Sequence, residues 1–293
     1  MELIKVGEKT LYIKNNTNIG VYKINDNDVY LIDTGNDKEA GRKILKILSE
    51  NNLNVKGIIN THSNADHIGG NKMIQERTDA LIYSDGIEVD IINHPILEPS
   101  ILYGGYPFKN LQNKFLMAKE SNAKQIENLP EGLEYFKIKG HFFDMIGIKT
   151  SDDVYFLGDS LFSEETISKY HIFFIYNVKE YLETLDFLNT LEGTLFIPSH
   201  VEETKNIKEL IKINRNKINE IVNYLLNICK VEKTLEDILK EVFDYYKLTI
   251  NETQYVLISS TIKSYLSYLI DEEKMEYYFN SNKMYFKTIL TNI

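Results

Sequence analysis

The sequence predicts an α/β fold with a helical C-terminal appendage, and three observations carry that prediction. Strand-like and helix-like segments alternate as far as Thr204. Beyond Thr204 the pattern changes to three helices and a hairpin. Histidines, in between, gather where strands give way to polar loops.

In chain order, Leu11–Ile13 and Ile19–Ile24 read as strands, and Asn25–Asp28 is a turn before the apolar run Val29–Ile32. Ala40, Ile44, Leu45, Ile47 and Leu48 fall at helical spacing, so a helix follows Asp33-Thr34-Gly35. Gly57–Asn60 is a short strand running into Thr61–His67; a helix starts near Gly69 and a strand returns at Ala80–Tyr83. Ser84–Gly132, with Pro95, Pro99, Pro107 and the turn Tyr103-Gly104-Gly105-Tyr106, predicts irregular chain with one helical stretch at Leu111–Ala118. Strands resume at Glu134–Ile138, Met145–Thr150 and Val154–Leu157. Val178–Leu188 is an amphipathic helix, and Leu195–Pro198 is a last strand before His200. Asn206–Cys229, Leu235–Tyr246 and Glu252–Leu269 then read as helices, followed by a hairpin around Asn280–Lys283, the outline of a winged-helix module. The expected division is 1–204 for a catalytic domain and 205–293 for the helical module.

Composition narrows the function classes. An apolar share of 43% supplies material for a core, and a formal net charge of −10 argues against a nucleic-acid partner. The helix Glu252–Leu269 points the same way, because Lys263 is the only basic residue from Leu248 to Glu273. Its apolar face fits packing against the rest of the chain or against a second subunit, so a homodimer through this module is an expectation. Cys229 is the only cysteine, which rules out an intrachain disulfide and a Cys-rich zinc site. The N-terminal stretch lacks a signal-peptide pattern and no apolar run reaches membrane-spanning length, so a cytoplasmic protein without membrane contact is expected.

The histidines carry the chemistry. Of six, His62 and His67 share the stretch Thr61-His62-Ser63-Asn64-Ala65-Asp66-His67, and His141 and His200 each follow a strand. Imidazole and carboxylate are the usual zinc ligands, and side chains beyond successive strand ends can converge. His62-x-Asn64-x-Asp66-His67 resembles the metallo-β-lactamase superfamily signature His-x-His-x-Asp-His. Gly140-His141, Gly158-Asp159 and Pro198-Ser199-His200 are similar to the later ligand motifs of that family, and Leu31-Ile32-Asp33-Thr34-Gly35 to an early motif supporting the site. The resemblance, glyoxalase II-like, spans about residues 11–203.

It implies a four-layer αβ/βα sandwich with a metal centre at one edge. One metal would be held by His62, Asn64 and His141, a second by Asp66, His67 and His200, with Asp159 shared and Asp66 and Asp159 serving catalysis. Zinc is the expected cofactor, one or two ions, with iron or manganese as the alternatives. A metal-activated hydroxide would cleave a small ester-like substrate, a thioester or a lactone among them. The other readings are a phosphodiesterase or nuclease, and a non-enzymatic binding protein. Asn64 departs from the family pattern: a neutral amide oxygen replaces an imidazole, so its half of the centre should be weaker. His171, Tyr103 and Tyr106 are candidate substrate contacts, and Asp144 a candidate for orienting a ligand histidine.

Overall fold

The structure, a computed structural model, describes residues 1–290. It opens with an antiparallel run of β1 (Glu2–Lys5), β2 (Thr10–Lys14), β3 (Ile19–Lys23) and β4 (Asp28–Ile32). The next three strands, β5 (Asn54–Ile59), β6 (Leu81–Ser84) and β7 (Ala123–Gln125), each add in parallel and complete a sheet of seven. Parallel pairing requires crossovers. They are α1 (Lys38–Glu50) before β5, α2 (Ala65–Ile68) and α3 (Asn71–Thr78) before β6, and α4 (Glu88–Asn93) and α5 (Leu97–Tyr103) before β7. The Asp37 carboxylate caps α1 by accepting from the N–H groups of Glu39 and Ala40. Ala40, Ile44 and Leu48, four residues apart, form its buried face.

A second sheet of four runs in the order β11-β10-β9-β8. It comprises β8 (Leu133–Lys137), β9 (Ile146–Thr150), β10 (Val154–Phe156) and β11 (Leu195–Ile197), with α6 (Glu164–Tyr170) and α7 (Val178–Leu188) crossing between the last two. The C-terminal part holds α8 (Lys208–Ile228), α9 (Leu235–Tyr245), α10 (Glu252–Asp271) and the hairpin β12 (Met275–Asn280) and β13 (Lys283–Thr288).

Three apolar clusters define the layers. Tyr12, Tyr22, Ile32, Ile146, Phe156 and Ile197 come from both sheets and fill the space between them. Ile13, Val21, Leu31, Ile44, Leu48 and Ile74 join the outer face of the large sheet to α1 and α3. Tyr155, Tyr181, Leu185, Ile218, Ile262 and Tyr265 join the small sheet to the helices on its far side, running without a break into α8 and α10. Alternation along each strand sends one set of residues to each layer. Helix, sheet, sheet, helix is the arrangement that the family resemblance implied. Cys229 is fully buried at the end of α8.

The apolar face of α10 is consumed within the chain. Val256, Ile258, Ile262, Tyr265, Leu266 and Leu269 are buried where the helix meets α5, α7 and β12. The rest of the chain, one of the two occupants expected for that face, packs against it. Among the described residues no helix is long and apolar enough to cross a membrane.

The segment 84–132 corrects the sequence reading. It contains two helices, α4 and α5, and the strand β7, where irregular chain was expected. No helix forms at Leu111–Ala118: a 3-10 turn covers Lys109–Leu111, and Asn113 then takes the Phe115 N–H on its side chain. β1 and α6 also lie outside the expected elements, although Ser163, accepting from Thr166 N–H, is an ordinary helix cap.

Topology sets the site. β4, β5 and β6 run parallel, so the loops after Ile32, Ile59 and Ser84 leave the large sheet at one edge. β10 and β11 are parallel too, and send Gly158-Asp159 and Pro198-Ser199-His200 to that edge from the small sheet. Backbone hydrogen bonds from Ile146 N to Thr61 O (2.9 Å) and from Ser199 N to Gly158 O (2.9 Å) lock the loops together.

Candidate metal centre

Four histidines converge with their Nε2 atoms inward, and each Nδ1 is occupied from behind. Asp33 accepts from His67 Nδ1 at 2.8 Å. The same carboxylate takes the hydroxyl proton of Thr61 (2.7 Å), which leaves the Thr61 oxygen to accept from His62 Nδ1 at 3.1 Å. His141 Nδ1 donates to the Phe174 carbonyl (2.9 Å), and His200 Nδ1 to the Asn16 carbonyl (2.7 Å). A ring that donates from Nδ1 presents a bare lone pair at Nε2, the arrangement that metal-bound histidines share. Asp33 adopts a left-handed backbone (φ 63°) to make these contacts.

Glycines allow the close approach of two of these loops. At Gly140, just before His141, φ is +110° and a Cβ would sit 2.2 Å from the backbone nitrogen of Tyr181. Gly158, just before Asp159, has φ +50°.

The inward atoms are close yet poorly paired. His67 Nε2 lies 3.1 Å from Asp159 Oδ1, and His200 Nε2 lies 3.2 Å from both Asp66 Oδ2 and Asp159 Oδ2. His62 Nε2, His67 Nε2 and Asp159 Oδ1 are nevertheless buried without a hydrogen-bond partner. Buried polar atoms without partners are costly. These three converge as one candidate cation group, and Asp66, His67 and His200 as a second. The donor set, imidazole nitrogen and carboxylate oxygen, suits a divalent transition metal, so the residues fit the cation that the resemblance implies. His67 belongs to both groups, so the two halves of the expected ligand set overlap at that ring.

Electrostatics divide the cluster. Burial would pull His67 and His200 down, but the carboxylates around them, Asp159 foremost, outweigh it and hold both well above the usual histidine range. Asp66 and Asp159 are held low by those same histidines against the effect of burial. Burial and the neighbouring His67 push His62 well below its usual value, and burial lowers His141.

Asn64 sits among them, with Oδ1 3.1 Å from His141 Nε2 and Nδ2 donating to Glu98 Oε1 at 2.8 Å. Glu98, on α5, is almost fully buried, and burial raises its carboxyl well above the usual range. Glu88, on α4, accepts from Ser63 N (2.9 Å), from the Ser63 hydroxyl and from Asp144 N (2.8 Å); burial raises it to about 7. Neither glutamate stood out in the sequence. The one available signal was a charged residue beside apolar neighbours in Glu88-Val89-Asp90-Ile91-Ile92.

The remaining candidates have other partners. Asp144 orients no ligand histidine: it accepts from Ile87 N and pairs with Lys139, and the Phe174 carbonyl orients His141 instead. His171 stacks on Tyr246 (5.3 Å between ring centroids) in a cleft of about 560 Å³ that Lys217, Glu220 and Lys247 also line. Tyr103 ends α5 and meets Phe108 edge to face, and Tyr106 is 80% exposed in the turn that follows.

A family model described as the metallo-beta-lactamase superfamily matches residues 13–200, more than half of the chain. The chain belongs to the metallo-beta-lactamase superfamily. Members of this superfamily are metal-dependent hydrolases, and this chain is one of them. It is 29% identical over 202 residues to a Bacillus subtilis (strain 168) protein named “Probable metallo-hydrolase YybB”, covering 67% of this chain and 84% of that one. It is 26% identical over 152 residues to a hydroxyacylglutathione hydrolase of Prochlorococcus marinus (strain MIT 9312), spanning 50% of this chain but only 54% of that relative. Among solved structures, a beta-lactamase domain protein from Burkholderia ambifaria aligns with a TM-score of 0.76 at 13% identity, over 98% of this chain and 94% of its own. A metallo-beta-lactamase family protein of Thermus thermophilus aligns with a TM-score of 0.70 at 16% identity, over 97% of both. At such identities the likeness is one of fold, and it extends over the C-terminal helices as well as the sandwich.

Proposed function

We propose that this superfamily hydrolase cleaves a small ester-like substrate, a thioester or a lactone, at a zinc centre. His62, Asn64, His141 and Asp159 would hold one ion, and Asp66, His67, His200 and Asp159 the other. The observation that carries the reading is the set of inward ligand atoms, His62 Nε2, His67 Nε2 and Asp159 Oδ1, buried without partners. A bound divalent cation lowers the pKa of water so that hydroxide is available at neutral pH, and it polarises the scissile carbonyl. The chain supplies the rest. Asp33 and the carbonyls of Phe174 and Asn16 keep the rings in one tautomer. The Asp66 side chain is 40% exposed where His67 and Asp159 are buried, and its carboxylate would take a proton from the attacking water and return it to the leaving group.

Tyr103 and Tyr106, at the end of the helix that carries Glu98, are the proposed apolar contacts for substrate, and His171 is left to the separate cleft. The likeness to hydroxyacylglutathione hydrolases supports a thioester over a phosphodiester. The acidic balance of the chain supports the same choice. The 205–293 module is proposed to serve packing and assembly, with no nucleic-acid role, and the protein to act in the cytoplasm. Hydrolysis by the zinc-loaded protein of a panel of thioesters, lactones, a β-lactam and bis(p-nitrophenyl) phosphate tests this. Turnover fastest on a thioester or lactone is expected; turnover confined to the phosphodiester would overturn the substrate class.

A further inference from the structure

Asn64 ends its loop at the N-cap of α2, a position where asparagine ordinarily caps the helix with its own side chain. It makes no such bond. Its amide is instead held between two partners, with the nitrogen on Glu98 Oε1 (2.8 Å) and the oxygen 3.1 Å from His141 Nε2. Glu98 Oε1 accepts from the amide nitrogen, and that contact turns the amide oxygen toward His141. The Phe174 carbonyl, in turn, uses the one proton of a neutral His141 ring at Nδ1. Two lone-pair-bearing atoms, Asn64 Oδ1 and His141 Nε2, therefore face each other without a proton between them. A cation bound by both resolves that conflict.

Glu98 has no evident purpose apart from this. It is 4% exposed, and its carboxylate meets Asn64 with no basic side chain paired to it among the described residues. Burying an unpaired carboxylate costs several kcal/mol unless an opposite charge lies near. A cation on the far side of the amide supplies one.

We propose that Asn64 and Glu98 act as one unit, in which Glu98 turns the Asn64 amide oxygen onto the His141 side of the centre and makes it a working metal ligand. Glu98 is a positioning residue. Its bond to Nδ2 orients the amide and polarises it toward Oδ1, as outer carboxylates do for ligand histidines. The substitution at position 64 is thereby partly offset from α5, an element absent from the ligand motifs. The inference rests on the metal-centre reading proposed above.

The test is a titration of metal-free protein with Zn²⁺ and with Co²⁺, the cobalt spectrum reporting the ligand field, for the wild type, Glu98→Gln, Asn64→Ala, Asn64→His and Asn64→His/Glu98→Gln. Glu98→Gln is expected to weaken one of the two metals by about 10–100-fold and to alter its cobalt spectrum, with the other metal unchanged. Asn64→Ala should weaken the same metal at least as much, and it keeps the test open if Glu98→Gln folds poorly. In the Asn64→His background, Glu98→Gln should have little effect, because imidazole needs no amide to be turned. Equal losses from Glu98→Gln in both backgrounds, or no loss in either, would overturn the proposal. A wild type that binds neither ion would overturn the metal-centre reading itself, and this inference with it.

Discussion

The two halves of the metal centre are braced by different parts of the chain. On one side His67, Asp66 and His200 rest on the sandwich. Asp33 at the end of β4 holds His67, and His200 donates to Asn16 between β2 and β3. On the other side His62 shares Asp33 through Thr61, while the supports of Asn64 and His141 come from later segments. Glu98 on α5 holds Asn64, and Phe174 holds His141. Those segments lean on the C-terminal helix: α5 packs on α10, Ser264 of α10 donates to the Tyr176 carbonyl (2.7 Å), and Tyr176 N donates to Gly140 O (2.9 Å). The first half is charged and tied to strands; the second is neutral apart from the shared Asp159, and its Asn64 and His141 are tied to a short helix and to the loop after α6. That difference teaches where the site can tolerate change. A ligand lost from the second half can be answered by a neighbour on a variable segment, as Glu98 answers Asn64.

Changes at four residues probe that contrast, and the first should have the largest effect. His67→Ala removes the ring common to both candidate cation groups and should abolish retained metal and reduce hydrolysis to background, as elemental analysis and initial rates would register. Survival of one full metal equivalent would show that the retained ion does not depend on His67. Asp33→Ala frees His67 and, through Thr61, His62; about 10–100-fold weaker binding of both metals is expected in a competition titration. Loss confined to one metal would separate the halves further than described.

Glu88→Ala leaves the N–H groups of Ser63 and Asp144 without their acceptor, at about 1–3 kcal/mol each, measurable by denaturant unfolding of the metal-free protein. Glu88 also predicts a pH dependence. Its folded value of about 7 exceeds the ordinary 4.5, so the folded state binds the proton more tightly. Its contribution to the stability of the metal-free protein is then fully present below the unfolded value and falls by about 3 kcal/mol as pH rises through that window. Glu88→Gln should flatten the slope; an unchanged slope would assign it to another group. Metal binding has the opposite dependence. His67 and His200 hold protons in the metal-free protein, so binding must release them and affinity should rise with pH, seen as proton uptake by buffers of different ionisation enthalpy.

The smallest effect expected is that of Ser264→Ala. It removes one hydrogen bond, about 0.5–1.5 kcal/mol, between the C-terminal helix and the segment behind His141. A modest weakening of the second-half metal alone should accompany it. Weakening of the metal at Asp66, His67 and His200 would contradict the division.

The same contrast governs what could be read from the sequence. His62, His67, His141, Asp159 and His200 follow strands whose period and β-branched composition are local signals, and their order matches a known motif set. Glu88 and Glu98 lie on helices of six and seven residues, fewer than two full turns, where helical periodicity has no room to appear. Their burial arises from tertiary contacts to Ser63 and Asn64, which no neighbour in the chain encodes. β7 escaped notice for a related reason, with three residues and two of them exposed. The apolar face of α10 was legible, whereas what it packs on became visible only in the fold.

Metal content per chain after exhaustive dialysis tests the unequal centre most directly. The wild type should retain about one metal ion and recover a second only with metal in excess, because the Asn64 half offers an amide oxygen where the family pattern has an imidazole. Asn64→His, treated identically, should retain about two. Two equally retained ions in the wild type would contradict the unequal centre, and would mean that Asn64 and Glu98 together match the ligand they replace.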